Sequence, residues 1–169
     1  MATGTLVSEA EYLHTAYEPD CEFEDGILIG RNVGTGEHGE LQLILGAYFA
    51  RRRKTWNISA GSEVRVKIRE GKYLIPDICI VEGQTRLRGV LTAPPLIWIE
   101  ILSPEDRPLR VNAKVRDVLE FGAKYVWVID SETLDSELHT REGAASLPDC
   151  TLRIPGTGIV VPLSEIWAE

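Results

Sequence analysis

The sequence has little of what a membrane, secreted or zinc-dependent protein needs. Its cysteines Cys21, Cys79 and Cys150 are odd in number, lie far apart and lack zinc-ligand spacing. No stretch approaches the about 18 consecutive apolar residues of a transmembrane helix. The N-terminus shows neither the basic nor the apolar segment of a signal peptide. We therefore expect a cytoplasmic protein without a membrane span, whose cysteines serve as small buried residues.

Histidine is scarce too, with only His14, His38 and His139, which are isolated from one another. No Ser-His-acid arrangement can be inferred from such a sequence. Residues 34–39 spell GxGxxG, but a dinucleotide site would need an acid about 20 residues further on, after the next strand. The following helix ends instead in basic residues. We expect no nucleotide cofactor, and we interpret 34–39 as a flexible loop over the entrance of a site.

Positive charge is in deficit over the whole chain but concentrated in one segment. The net charge is -8, which argues against broad non-specific binding to a polyanion. Residues 51–72 nevertheless contain eight basic and two acidic side chains. The basic ones are Arg51, Arg52, Arg53, Lys54, Arg65, Lys67, Arg69 and Lys72. Such a strip fits contact with a phosphate backbone, and it fits equally a solvated helix end followed by an exposed strand face.

Helical and strand-like segments alternate along a chain whose 169 residues fit one domain, 1–169. Ser8 and Glu11 form a capping-box pattern, and Asp25-Gly26 is a hairpin turn signal. Periodicity predicts long helices over 36–54 and 108–121, the second ending at Gly122. Strands are predicted over 22–33 as a pair, over 56–68 as one strand or as two with a break at Gly61, and over 73–81, 96–102 and 125–130, followed by short strands and a final turn. We predict an α/β fold with a mixed central sheet flanked by helices.

Two carboxylates interrupt segments that are otherwise apolar. Asp77 lies within the predicted strand 73–81, and Glu100 lies within the predicted strand 96–102. Strands that are apolar on both faces are usually central and covered. An ionised acid there is costly unless it is paired or bound to a metal. Two such acids in neighbouring strands indicate a shared partner.

Lys114 is a candidate for that partner. On a helical wheel of the second long helix it falls between Val118 and Phe121, just inside the apolar arc. It is therefore expected to point towards the sheet. The same position also fits a lysine that reaches solvent from the edge of the apolar stripe. Together with two carboxylates, an ammonium group would suit Mg²⁺-assisted chemistry on a phosphodiester.

An ordered series of short motifs resembles the Uma-type restriction endonucleases of bacteria, within the PD-(D/E)xK nuclease superfamily. The series comprises Pro76-Asp77, Ile99 to Pro104, Lys114, Phe121-Gly122 and residues 125–130, with residues 17–26 and His38 also matching. The resemblance covers about Ser8 to Trp167. It implies a restriction-endonuclease-like fold, hydrolysis of DNA with Mg²⁺ (Mn²⁺ as a possible substitute), and a homodimer for a duplex cut.

The resemblance also implies roles for individual residues. Asp77 and Glu100 match the two acidic metal ligands, and Ile101 matches the residue whose backbone carbonyl also binds the metal. Leu102 occupies the usual position of the lysine, so Lys114 matches a lysine that has moved to the following helix. Glu22 matches an auxiliary acidic ligand, although a charged strand-edge residue would look the same.

One position departs from the family pattern. Arg110 stands where relatives often carry an acid, and it lies one helical turn from Lys114. Two neighbouring cations would either strengthen phosphate binding or weaken the catalytic site, and Asp106 is expected to balance one of them. Nucleic acid is expected at Arg110 and at Arg51, Arg52, Arg53 and Lys54. The alternative is a catalytically weakened protein that binds nucleic acid or a protein partner without cleavage.

Overall fold

The computed structural model describes residues 6–32 and 34–168. Its helices are α1 (Glu9–His14), α2 (Gly36–Trp56), α3 (Pro108–Phe121) and α4 (Leu163–Ala168). Its strands are β1 (Cys21–Glu24), β2 (Ile27–Gly30), β3 (Ile58–Ser62), β4 (Val66–Arg69), β5 (Lys72–Leu74), β6 (Ile78–Glu82), β7 (Ile97–Leu102), β8 (Tyr125–Asp130), β9 (Ser136–Thr140), β10 (Gly143–Ser146), β11 (Thr151–Arg153) and β12 (Val160–Pro162). The predicted α/β class, a mixed sheet flanked by helices, is confirmed.

Local sequence signals set the ends of these helices. Ser8 Oγ accepts a hydrogen bond from Glu11 N at the start of α1, as the capping pattern predicts. Thr35 caps α2 in the same way, through the amide of His38. Pro108 occupies the first turn of α3, where its missing N–H costs nothing. Gly122 ends α3 with a φ of 121°, a backbone conformation that other residues rarely adopt.

The strands form a large sheet and a smaller one that together position the site. The six-stranded sheet has the order β10-β9-β8-β7-β6-β3, and the four-stranded sheet has the order β2-β1-β5-β4. Strands β7 and β8 are parallel because α3 connects them, whereas the other neighbours in both sheets are antiparallel. Strands β11 and β12 form a separate antiparallel pair.

The two long helices cover opposite faces of the six-stranded sheet. Buried Leu41, Leu45 and Phe49 of α2 pack in one cluster with Ile97, Ile99 and Ile101 of β7. Val115 and Val118 of α3 pack in a second cluster with Trp98 of the same strand. Because side chains alternate along a strand, Glu100 shares the α3 side with Trp98. This alternation places Glu100 beneath the helix that carries Lys114.

The predicted strand over 73–81 is wrong as a single element. The structure divides it into β5 and β6, which belong to different sheets, and residues 75–77 cross between them. Asp77 therefore precedes β6 and does not lie in the middle of a strand. The apolar run is continuous because residues 72–80 are buried throughout, so periodicity alone could not show the break.

The predicted break at Gly61 is also misplaced. Gly61 lies inside β3, and the chain leaves that strand at Glu63. A Cβ atom on Gly61 would come within 2.7 Å of Leu87 and 2.9 Å of Val64. The glycine therefore allows close packing rather than a turn.

The described residues contain neither a membrane-spanning helix nor a disulfide bond. No helix in the described ranges is long and apolar enough to cross a bilayer. The three cysteines are free, and Cys79 is fully buried, as expected. Cys21 and Cys150 are only partly buried.

Candidate active site

A cleft with a cavity volume of about 70 Å³ lies where the two sheets and α3 meet. Its lining includes Glu22, Asp77, Glu100 and Lys114, the acids and the lysine singled out in the sequence. Each comes from a different element: β1, the crossing between sheets, β7 and α3. The fold thus brings together residues that are up to 92 positions apart in the sequence.

Asp77 is the most constrained acid of the cleft. It is 3% exposed, and its Oδ2 accepts a hydrogen bond of 2.7 Å from the backbone amide of Ile101. Its Oδ1 accepts a hydrogen bond of 2.8 Å from Arg31 Nη2 and lies 3.4 Å from His38 Nε2. The Asp77 carbonyl accepts a further hydrogen bond from Gln42. Both carboxylate oxygens therefore have protein partners.

Glu100 is held from one side only. Its Oε1 accepts a hydrogen bond of 2.5 Å from the indole of Trp98 and lies 2.7 Å from Lys114 Nζ. Among the described residues, no hydrogen-bond donor contacts Oε2. Because Trp98 and Glu100 are two residues apart on one strand, their side chains share a face and the indole fixes the carboxylate. One oxygen of Glu100 is thus left for a ligand in the cleft.

Lys114 points towards the sheet, which is one of the two orientations that the helical wheel allowed. Its ammonium lies 2.7 Å from Glu22 Oε1, 2.7 Å from Glu100 Oε1 and 2.8 Å from the carbonyl oxygen of Ile75. An ammonium has three N–H donors, and here it has three acceptors. The alternative, a lysine that extends into solvent, is inconsistent with a side chain that is only 14% exposed.

Glu22 contacts Lys114 and the backbone of the crossing segment. It is 4% exposed, and its Oε1 accepts a hydrogen bond of 3.0 Å from Ile75 N. Its Oε2 lies 3.9 Å from Arg110. Glu22 is therefore no ordinary strand-edge charge, because it anchors Lys114 from the neighbouring sheet.

The pKa values of these groups reflect a crowded, poorly hydrated site. Burial raises the pKa of Glu100 to about 7, with Asp77 and Glu22 raising it further and Lys114 opposing them. Burial also works to raise the pKa of Asp77, but hydrogen bonds from His38 and Ile101 prevail and hold it below its ordinary value. Burial works to lower the pKa of Lys114, but the facing acids raise it to about 12. Lys114 therefore stays charged at neutral pH.

Arg110 and Asp106 occupy the mouth of the cleft. Arg110 is about half exposed and donates a hydrogen bond of 3.1 Å to the carbonyl oxygen of Gly30. Asp106 accepts hydrogen bonds from Ser103 N and from the Asn32 side chain. The structure thus uses Asp106 to hold the turn before α3, and within the described ranges it forms no ion pair with Arg110 or Lys114. The expectation that it balances one of these cations is not met.

The basic strip is divided by the fold. Arg65, Lys67, Arg69 and Lys72 form ion pairs with acids of α1, β1 and neighbouring segments. Residues 51–54 lie at the far end of α2, whose beginning carries His38. At about 1.5 Å per residue, they lie about 20 Å along the helix from the cleft. Arg52 also stacks on the ring of Tyr48, with its Cζ 3.5 Å from the ring centroid.

Sequence reasoning missed Arg31, Gln42 and Trp98 as members of the site. Arg31 is a single basic residue after a short strand, and nothing in its local pattern links it to Asp77. Gln42 lies on α2, whose apolar stripe predicts packing on a sheet but does not predict a contact with Asp77. Trp98 lies in the apolar segment 96–102, and its indole N–H, which needs a partner when it is buried, was the available signal.

The donor set suits a hard divalent cation in its chemistry. Glu100 Oε2 has no protein donor among the described residues. Burial, together with the nearby acids, raises the pKa of Glu100, and a bound cation would lower it. Within the same residues, no group of three or more His, Cys, Asp or Glu side chains is arranged to hold a metal. The residues therefore fit a site with Asp77 and Glu100 as carboxylate ligands, completed by water and substrate, and Glu22 lies beside it in contact with Lys114.

Comparisons with known proteins agree with this architecture. Among solved structures, a putative nuclease belonging to DUF820 from Anabaena variabilis ATCC 29413 is similar to this chain, with a TM-score of 0.79 and 20% sequence identity. The similarity covers 94% of this chain and 96% of that chain, and at this identity it shows the fold alone. No curated protein sequence matches. The sequence model of the Uma2 family, described as a putative restriction endonuclease, matches residues 9–162, and the chain therefore belongs to the Uma2 family.

Proposed function

We propose that this protein is an endonuclease that hydrolyses phosphodiester bonds in DNA with Mg²⁺, or Mn²⁺ in its place. The observation that carries the proposal is the meeting of Asp77, Glu100 and Lys114 in one cleft of a nuclease-like fold. Buried acids without a function would be expensive to retain. A lysine beside two such acids is the arrangement that phosphodiester hydrolysis uses.

The residues of the cleft have different roles in the proposed reaction. Asp77 and Glu100, with the backbone carbonyl of Ile101, would hold the cation, and Glu22 would act as an auxiliary acid. A bound Mg²⁺ would supply charge neutralisation at the phosphate and a more acidic water. Lys114 stabilises negative charge that develops on the substrate. Its anchors, Glu22, Glu100 and Ile75, hold the ammonium in place before substrate arrives.

The wider proposal concerns the substrate and the assembly. Arg110 at the mouth of the cleft and residues 51–54 on α2 would contact the DNA backbone. A cut in both strands of a duplex requires two active sites, so we propose that the protein is a homodimer. Sedimentation of the purified protein would measure this oligomeric state. We place the whole chain, 1–169, in one domain and in the cytoplasm.

Cleavage by matched variants tests the assignment. Purified protein with Mg²⁺ and mixed DNA substrates should show cleavage that falls at least about 100-fold in Asp77→Asn, because one metal ligand loses its charge. Asp149→Asn is the control, since Asp149 is an exposed acid that pairs with Arg153. Thermal denaturation of both variants verifies that they fold. Equal cleavage by Asp77→Asn and the wild type would refute the assignment.

A catalytically weakened protein that binds DNA or a protein partner is the second candidate. It is favoured by the occupation of both Asp77 oxygens and of all three Lys114 donors by protein groups. Calorimetry with Mg²⁺ and Mn²⁺ separates the two candidates. Retention of DNA binding without any metal binding would favour the weakened protein, and metal binding followed by cleavage would exclude it.

A further inference from the structure

Arg31 forms the shortest contact that any cation of the cleft makes with Asp77. Its Nη2 lies 2.8 Å from Asp77 Oδ1, and the side chain is 17% exposed. Arg31 follows β2 directly, and its guanidinium therefore reaches Asp77 from the opposite sheet. The pair has the distance and the burial of a charge-assisted hydrogen bond.

The buried carboxylate of Asp77 requires this partner. Oδ2 is already held by the amide of Ile101, which is neutral and leaves the charge of the acid uncompensated. Lys114 is engaged by Glu22 and Glu100. His38 Nε2 also lies 3.4 Å from Oδ1, but the imidazole is charged only when it is protonated. Arg31 is therefore the contacting cation that stays charged at every pH when no metal is present.

A metal held by Asp77 would need a lone pair of the same carboxylate. A divalent cation that Asp77 and Glu100 held would bring two positive charges next to the Asp77 carboxylate. A guanidinium at 2.8 Å from Oδ1 would then face strong repulsion at short range. Arg31 and a metal thus compete for Asp77.

Glu63 offers Arg31 a second position. Its Oε1 lies 3.6 Å from Arg31 Nη1, and its side chain is 57% exposed. The amide of Glu63 also donates a hydrogen bond to the carbonyl oxygen of Asp77, which keeps the two acids adjacent. A small movement would shift Arg31 from Asp77 towards Glu63, so that it exchanges one ionic contact for the other.

We propose that Arg31 is a displaceable counterion: it neutralises Asp77 in the metal-free protein and yields Oδ1 when a divalent cation binds, moving to Glu63. This inference rests on the metal dependence of the proposed function and deepens it. Arg31 is a positioning residue under this proposal. It keeps the acid folded into the site and lowers the metal affinity in return.

Mn²⁺ binding to the full-length protein tests the proposal. In Arg31→Gln, the dissociation constant for Mn²⁺, measured by calorimetry or electron paramagnetic resonance, should fall about tenfold. The melting temperature of the metal-free variant should fall, and added Mn²⁺ should raise it by more degrees than in the wild type. Arg110→Gln is the control, because it removes the same charge from the cleft mouth without a contact to Asp77.

Mn²⁺ binding distinguishes failure of the Arg31 proposal from failure of the metal-dependent function. A gain in affinity that is no larger in Arg31→Gln than in Arg110→Gln overturns the proposal and leaves metal-dependent cleavage intact. Absence of Mn²⁺ binding in both the wild type and Arg31→Gln overturns the proposal together with the metal-dependent function. A double-mutant cycle gives an independent readout: the melting temperatures of Arg31→Gln, Asp77→Asn and the double variant are measured without metal. Strictly additive losses of melting temperature would also overturn the proposal, because a direct pair must show coupling.

Discussion

Glu100 changes the charge of the cleft when it gains or loses its proton. Burial, together with Asp77 and Glu22, raises its pKa to about 7, from an ordinary value of 4.5. Near neutral pH the residue thus exists in both protonation states. Lys114 and the Trp98 indole favour the ionised form but do not restore the ordinary pKa.

The pH dependence of stability tests this value. Because the folded pKa exceeds the unfolded one, the folded state binds the proton more tightly, and Glu100 lowers the free energy of unfolding as the pH rises from about 4.5 to about 7. In metal-free Glu100→Gln, the fall in the free energy of unfolding over this pH range should be smaller than in the wild type by about 1 to 3 kcal/mol. Urea denaturation at several pH values measures it.

His38 and Asp77 also affect the pH dependence of stability, but they titrate mostly outside the range from about pH 4.5 to about 7. The pKa of His38 is raised from 6.5, so its contribution is lost above that pH, and the pKa of Asp77 is lowered from 3.8. Glu82→Gln, at an exposed acid that pairs with Lys124, is the control and should keep the wild-type slope. A slope that is unchanged in Glu100→Gln would contradict the assigned pKa.

The site residues differ in how far the sequence reveals them. Asp77 and Glu100 are visible as acids in apolar segments, because burying a charge is rare and needs a reason. Lys114 is ambiguous on a helical wheel, and the family pattern was needed to choose its direction. Arg31 was invisible, since its partner lies 46 residues away and no local period connects the two.

At the scale of elements, α2 has both a structural and a functional end. Its buried stripe packs on the six-stranded sheet, while His38 and Gln42 near its beginning contact Asp77. Gly34 makes the approach possible, because a Cβ atom there would come within 2.6 Å of the His38 ring. The position of the helix therefore controls the position of the acid.

A pair of leucines on α2 tests how much this packing contributes. Leu45 is fully buried, whereas Leu43 is 73% exposed on the same helix. Leu45→Ala should lower the free energy of unfolding by about 2 to 5 kcal/mol, and Leu43→Ala should change it by less than about 0.5 kcal/mol. Urea denaturation compares them, and similar losses in both variants would contradict the packing described for α2.

Elements with a clear period were predictable, and crossings between sheets were not. Helix α3 and strand β8 have the predicted bounds, because apolar spacing and the stop at Gly122 define them. The division between β5 and β6 was missed, since both halves are buried and apolar. Pro76 was the available signal: proline cannot donate to a central ladder, so it marks the crossing segment.

For the whole molecule, the distribution of charge decides how DNA would be held. Half of the basic strip is neutralised within the fold, and the other half lies about 20 Å from His38 along α2. A B-form duplex that reaches both the cleft and the end of α2 would have to run along this helix. Under the proposed function, residues 51–54 would then supply the main electrostatic contact with DNA outside the cleft.

The salt dependence of DNA binding tests this arrangement. A triple variant, Arg51→Ser with Arg53→Ser and Lys54→Ser, removes three exposed cations and leaves the stacked Arg52 in place. The slope of log affinity against log salt concentration should become shallower by about 2 to 3, because each phosphate that a cation neutralises adds about 0.9 to the slope. Fluorescence anisotropy with a labelled duplex measures it. The control removes Arg86, Arg88 and Lys124, and an equal change in the control would show that residues 51–54 have no special role.

The placement of the four cleft residues on four elements has a consequence during synthesis. Glu22, Asp77 and Glu100 leave the ribosome before Lys114, and α3 gains its packing partners Val126 and Val128 only when β8 has been made. The acids alone would repel one another in a partly folded chain. The cleft is therefore complete only after β8 has been made, and a nascent chain that ends before this strand lacks the packing that holds Lys114 against the acids.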